Sequence, residues 1–237
     1  MRYLDGMHCH GAQDASSLHP AARRAAGQNL ARTLARLHSL DPDTIGLGDL
    51  GPREDYVARQ LRRWRRQVDA DRRRPTPDID EAHAILSAHV PPQRRASVVH
   101  GDFRLDNCVL DLDGGVIGLV DWEICALGDP LADLGVLLAY WAEPGDEVTA
   151  LNDPLTLVPG FPSRAEMAAA YLTASGLPAD TDFAFFVAFA WWKLACIIEG
   201  VWARASRKRQ RLARPLDSYA RQAASVASHA RPLAACL

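Results

Sequence analysis

The sequence predicts an α+β protein, mostly helical, with one small sheet near its middle. Three observations lead there. Apolar residues recur at helical spacing, as in Leu30, Leu34 and Leu37, or in Tyr56, Val57, Leu61, Trp64 and Val68. Past Pro91-Pro92 the apolar period shortens to that of strands. Asp113-Gly114-Gly115 then supplies the turn of a hairpin.

The elements follow in order. A first helix runs from a cap at Ser16 or Ser17 to about Ser39, with Pro20 in its first turn, where a missing N–H does no harm. Asp41-Pro42 stops it, and Gly46, Gly48, Gly51 and Pro52 make a loop. Glu54 to Val68 is helical again. Pro75 and Pro77 break the chain, and Ile79 to His89 forms a short helix. Val98 and Val99 are a strand. Cys108 to Leu112 and Val116 to Val120 are the arms of the hairpin. Asp129-Pro130 opens the next helix, because aspartate caps well and proline suits the first helical position. It ends near Trp141, and a loop spans 143–162. Three helices are expected near 163–175, 182–206 and 216–229.

Composition sets limits. The 237 residues are enough for one large or two small domains, and a net charge of -2 argues against a general affinity for nucleic acid. Five scattered cysteines without CxxC spacing fit reduced thiols, and no apolar signal stretch opens the chain, so the expected location is cytoplasmic. Residues 183–203 approach the length of a membrane span, but Lys193 and Glu199 within them would be costly in lipid. A buried core helix is the reading, and no membrane is expected. His8-Cys9-His10 offers soft metal ligands without a second cluster at zinc spacing. The arginines at 62, 63, 65, 66 and 72–74 read first as a solvated helix face.

The chemistry lies in the strand ends. His100-Gly101-Asp102 closes one strand, Asn107 opens the next and Asp121 ends the third. If those strands are neighbours, Asp102, Asn107 and Asp121 converge at one edge. Two carboxylates and an amide oxygen are hard ligands suited to Mg²⁺. Mg²⁺ held by few protein ligands usually also binds substrate phosphates. That suggests phosphoryl transfer, with one carboxylate left to take a hydroxyl proton.

These residues carry a resemblance. HGDFRLDN at 100–107 resembles the catalytic loop of the aminoglycoside phosphotransferase family, which has a protein-kinase-like fold. DWE, after thirteen intervening residues, resembles its magnesium motif. GDPLADLG from Gly128 and LARLHSLDP from Leu34 resemble flanking helix segments. YVARQLRRW resembles a helix of the subgroup linked to acyl-CoA-dehydrogenase-associated phosphotransferases. The resemblance implies the C-terminal lobe of the fold, with a catalytic loop at 98–107 and a metal motif at 121–123, and an ATP- and Mg²⁺-dependent transfer to a small-molecule hydroxyl. Asp102 would orient the acceptor and take its proton. Asn107 and Asp121 would hold Mg²⁺, and His100 would keep the loop in shape. Arg104 falls where many kinases place a lysine and would neutralise the transferring phosphoryl group. Asp133 would tie its helix to the catalytic loop. Glu123 has no firm role, and Trp122 reads as core.

MRYLDG resembles the family's hinge, where backbone groups near Arg2, Tyr3 and Leu4 would bond adenine. The expected division is a hinge-like segment at 1–15 and a helical lobe at 16–237. No Gly-rich phosphate loop occurs in the first hundred residues, and no lysine precedes Lys193. The sequence thus predicts the C-terminal lobe without an N-terminal one. A second class of function stays open on that ground: an impaired or inactive single lobe serving as a binding or assembly module, its exposed face covered by a second copy or another partner. For an enzyme, an anionic acceptor suits the arginine patches, and Lys193 with Glu199 either faces the acceptor cleft or forms a buried polar pair.

Overall fold

A computed structural model describes residues 4–208, 221, 225, 228–234 and 236. The helices are α1 (Ala12–Ser17), α2 (Pro20–Ser39), α3 (Tyr56–Asp71), α4 (Pro77–Ala88), α5 (Leu131–Tyr140), α6 (Arg164–Ser175) and α7 (Ala184–Lys208). The strands are β1 (Ser97–Val99), β2 (Cys108–Leu110), β3 (Val116–Leu119) and β4 (Ala126–Gly128). The molecule is mostly helical with small antiparallel sheets, as the sequence predicts.

The first helix departs from expectation. Leu18 and His19 are extended, so the chain makes two helices where one was expected. Neither serine caps α2; the His19 ring accepts from Ala21 N at 3.2 Å. Pro20 occupies the first position of α2, and a residue before proline is pushed out of the helical region. The expected helix at 216–229 lies largely outside the described residues, although 228–234 are helical.

The sheet also differs. It is two separate ribbons, β1 with β4 and β2 with β3. The hairpin is tightened by Asp111, whose Oδ1 accepts from Asp113 N at 3.0 Å and Gly115 N at 2.7 Å. Met7 bridges to Leu110 on the outer side of β2, with backbone bonds of 2.8 and 2.9 Å. The segment from Leu4 to Met7 therefore lies along the hairpin, with the Leu4 side chain over Gly118.

The helical layer is organised by α7, which packs against α3, α4 and α5. Its 184–206 stretch is long and apolar enough to cross a membrane, yet 78% of its most apolar window is buried in the molecule. Phe189, Trp192 and Ala195 are fully or almost fully inside, so its apolar surface is spent on the core. Gly135 lets α5 approach: a Cβ there would lie 2.2 Å from the Phe186 carbonyl oxygen of α7. The α2–α6 pair completes the layer, and α6 begins with a capping box made by Ser163 and Glu166. This packing fixes the places where β1 ends and α5 begins, and the site is built there.

Candidate active site

The loop after β1 is pinned from below by one carboxylate. Asp133, in the first turn of α5, accepts from His100 N at 2.6 Å and Gly101 N at 2.8 Å. His38 Nε2 lies 3.3 Å from the same group, and His38 Nδ1 is 2.8 Å from the Tyr171 hydroxyl. Burial would raise the Asp133 pKa, but the His38 contact and the two backbone N–H groups outweigh it and hold the carboxyl below its usual range. The sequence-level reading of Asp133 as a tie to this loop matches that geometry. Gly101 has φ +86°, and a Cβ there would meet the Ile124 carbonyl at 2.9 Å. Glycine is required by conformation and by space.

His100 is fully buried and joins this loop to the end of β3. Its Nε2 is 2.9 Å from the Val120 carbonyl, and its Nδ1 is 3.3 Å from Asp102 N. A carbonyl only accepts, so Nε2 carries the proton and Nδ1 receives the Asp102 amide. Trp122 leans on the same ring at 4.6 Å. It is 37% exposed and so belongs to the site's rim, where the sequence suggested core.

Asp102 is partly exposed, and its Oδ2 receives Arg104 Nε and Asn107 Nδ2, each at 3.0 Å. Asn107 Nδ2 also reaches the Asp102 carbonyl at 2.7 Å. Arg104 is further paired with Asp106 and stacked over Tyr140 at 5.0 Å. Burial opposes the Arg104 charge, but Asp102 and then Asp106 overcome it and raise its pKa. The guanidinium is thus largely committed to positioning Asp102. Beside it opens a cavity of about 300 Å³, lined by Asp102, Arg104, Glu123, Tyr140 and Lys193, with apolar walls from Trp64, Ile124 and Leu194.

Asp121 stands at the same end of the hairpin as Asn107. Cys108 faces Leu119, and Val120 N donates to the Asn107 carbonyl at 3.0 Å, so Asp121 is one residue beyond the pairing. It is a non-glycine residue at φ +65°, a conformation that costs energy and concentrates at functional sites. Its carboxylate is exposed and makes no hydrogen bond among the described residues. Asn107 commits its Nδ2 to Asp102, and its amide oxygen accepts no hydrogen bond among the described residues. Two uncommitted hard oxygens at one end of a hairpin fit Mg²⁺, an ion content with few protein ligands. Among the described residues, no group of three His, Cys, Asp or Glu side chains gathers to hold a metal.

The fate of the other sequence candidates is mixed. Arg2 and Tyr3 lie outside the described residues, and Leu4 is exposed beside the hairpin. Lys193 reaches the cavity, where it donates to the Gly101 carbonyl at 2.6 Å. Glu199 does not join it; Arg74 pairs with Glu199, and stacks over Trp202 at 4.7 Å. Arg65 and Arg72 are paired with Asp69 and Asp80, which leaves less of that patch uncompensated. Tyr140 escaped sequence reasoning because nothing in the helix pattern distinguishes it from a core aromatic.

A model of the phosphotransferase enzyme family, APH, matches residues 1–186. The chain belongs to that family. It is 32% identical over 191 residues to acyl-CoA dehydrogenase family member 10 of Mus musculus, covering 79% of this chain and 18% of that protein. Member 11 of Rattus norvegicus is 33% identical over 189 residues, covering 78% of this chain and 24% of that protein. The chain therefore spans less than a quarter of the length of these relatives. Among solved structures, a Ralstonia eutropha protein assigned as an aminoglycoside phosphotransferase superposes with a TM-score of 0.83 at 28% identity, over 100% of this chain and 72% of that one. The GDP complex of aminoglycoside 2'-phosphotransferase-IIIa gives 0.60 at 14% identity, over 98% and 69%. The kinase-like fold and the link to the acyl-CoA dehydrogenase group agree with the resemblance read from HGDFRLDN, DWE and YVARQLRRW.

Proposed function

We propose that this family member transfers the terminal phosphoryl group of a nucleoside triphosphate, ATP by preference, to the hydroxyl of a small molecule. The observation that carries the reading is the setting of Asp102. Its carboxylate lines a cavity of substrate size and is fixed by Arg104 and Asn107, on a loop anchored through Asp133. A hydroxyl entering that cavity can donate its proton to Asp102 as the oxygen attacks phosphorus. His100 keeps the loop against β3, and Arg104 orients the base, with the transferring phosphoryl group as a second target for its charge. Asn107 Oδ1 and the Asp121 carboxylate would hold Mg²⁺, which neutralises phosphate charge when bound. Nucleotide use draws on family membership and on the relative solved with GDP. Adenine contacts by Arg2, Tyr3 and Leu4 remain part of the proposal, as do an acceptor of anionic character and a cytoplasmic location. The surface along the hairpin, where Leu4 and Ile117 are exposed, is proposed as the face covered by a second copy or another partner.

Two measurements test this reading. Mg-ATP should raise the thermal midpoint of the purified chain; at a nucleotide concentration of 100 times Kd the gain is about 2.7 kcal/mol. Turnover should then fall by about 10²- to 10⁴-fold in Asp102→Asn, the range for loss of a general base. No midpoint shift at millimolar nucleotide would favour a binding module, and unchanged turnover would remove Asp102 as the base.

A further inference from the structure

We propose that Lys193 is an oxyanion-binding residue of the transfer site, receiving an oxygen of a phosphoryl group in the cavity beside Asp102. This rests on the phosphotransferase reading above and adds a residue to it. Lys193 rises from the middle of α7, is 6% exposed and lines the same cavity as Arg104. An ammonium has three N–H donors. One goes to the Gly101 carbonyl at 2.6 Å, and this is the hydrogen bond Lys193 makes among the described residues. A buried ammonium with a neutral carbonyl as its close partner is expensive unless something further engages it. The Trp64 ring, at 5.8 Å, compensates little of that.

Its electrostatic setting has the same sense. Burial lowers the Lys193 pKa below the ordinary lysine range, Asp102 and then Asp133 oppose that loss, and Arg63 adds to it. Arg104, the cavity's other cation, is ion-paired with Asp102 and Asp106. Among the described residues, Lys193 is therefore the cavity cation without an ion pair by contact. The bond to Gly101 sets its distance from Asp102 through a single residue, which is where phosphoryl oxygens must come if Asp102 takes the acceptor proton. Those oxygens have two sources: the group being transferred, or a phosphate already carried by the acceptor.

The test exploits the scarcity of lysine. Lys193 and Lys208 are the two lysines of the chain. Trace acetylation of the full chain with acetic anhydride, read by peptide mass spectrometry, follows each separately. Inorganic phosphate should slow acetylation of Lys193 about tenfold at ten times its half-saturating concentration, and leave Lys208 unchanged. Equal rates with and without phosphate, or a Lys193 that never reacts, would overturn the proposal. Hydrolysis of Mg-ATP by water then separates the sources. A loss of about 10²-fold in Lys193→Met, partly restored in Lys193→Arg, assigns the transferred group. Hydrolysis unchanged in both variants, with phosphate protection intact in the parent chain, assigns a phosphate on the acceptor. A parent chain whose thermal midpoint is not shifted by millimolar Mg-ATP removes the phosphotransferase reading, while the acetylation result still decides Lys193.

Discussion

At the scale of single residues, the proposed base is held by near neighbours of its own loop. Asp102 is oriented by Arg104 and Asn107, and Arg104 is balanced by Asp106 and Tyr140. Arg104→Met should therefore act by loosening Asp102, the proposed base. We expect kcat to fall about tenfold or more, since small misplacement of a reacting group is costly, with KM for nucleotide nearly unchanged. Arg104→Lys should recover part of the loss, because lysine keeps the charge but not the fork that spans two carboxylates. A rise in nucleotide KM without a change in kcat would instead point to phosphate binding by Arg104. Steady-state kinetics of the two variants separate these outcomes. The hydrogen bond between Asn107 and Asp102 fits the sequence reading that set Asp102, Asn107 and Asp121 at one edge, and the roles given to the three came from the family resemblance. The commitment of Arg104 to two acids was not legible, because alternating charges two residues apart in a loop do not reveal which of them meet.

At the scale of elements, α5 and α7 position the loop proposed as catalytic, through Asp133 and Lys193. Asp133→Asn would place an amide N–H₂ among donors that now share a carboxylate, and should cost about 3–5 kcal/mol by chemical denaturation. The sign of the pH effect follows from its depressed pKa. The stability due to Asp133 is fully present above the unfolded value of about 3.9 and is lost as pH falls through the lower folded value. Acid unfolding should lose that component in Asp133→Asn; an unaltered acid profile would deny the role. Gly135→Ala should push α5 off the Phe186 carbonyl and cost about 1–3 kcal/mol, measured the same way. Local signals explain which elements could be read in advance. The hairpin showed itself through Asp113-Gly114-Gly115. β4 did not, because Ala126–Gly128 is three residues long and finds its partner in β1 across the chain. The break before α2 was signalled by Pro20, whose preceding residue resists helix, although a proline is equally at home in the first turn of a longer helix.

At the scale of the whole molecule, one long apolar helix organises a lobe whose upper edge carries the candidate chemistry. Helical periodicity made the mostly helical class readable, and the resemblance of HGDFRLDN and DWE implied the kinase-like architecture; both are properties of short windows. The cavity was not readable, because it forms where α3, α5 and α7 meet the loop after β1 over long sequence distances. The central claim is that Asn107 and Asp121, next to the base Asp102, make one divalent-cation site at the end of the hairpin. Electron paramagnetic resonance titration of Mn²⁺ in the presence of ADP tests it most directly. The account predicts saturable binding to the parent chain, weakened about tenfold or more in Asn107→Ala and Asp121→Asn and unchanged in Asp113→Asn at the hairpin tip. Equal Mn²⁺ affinity in all four proteins would contradict it.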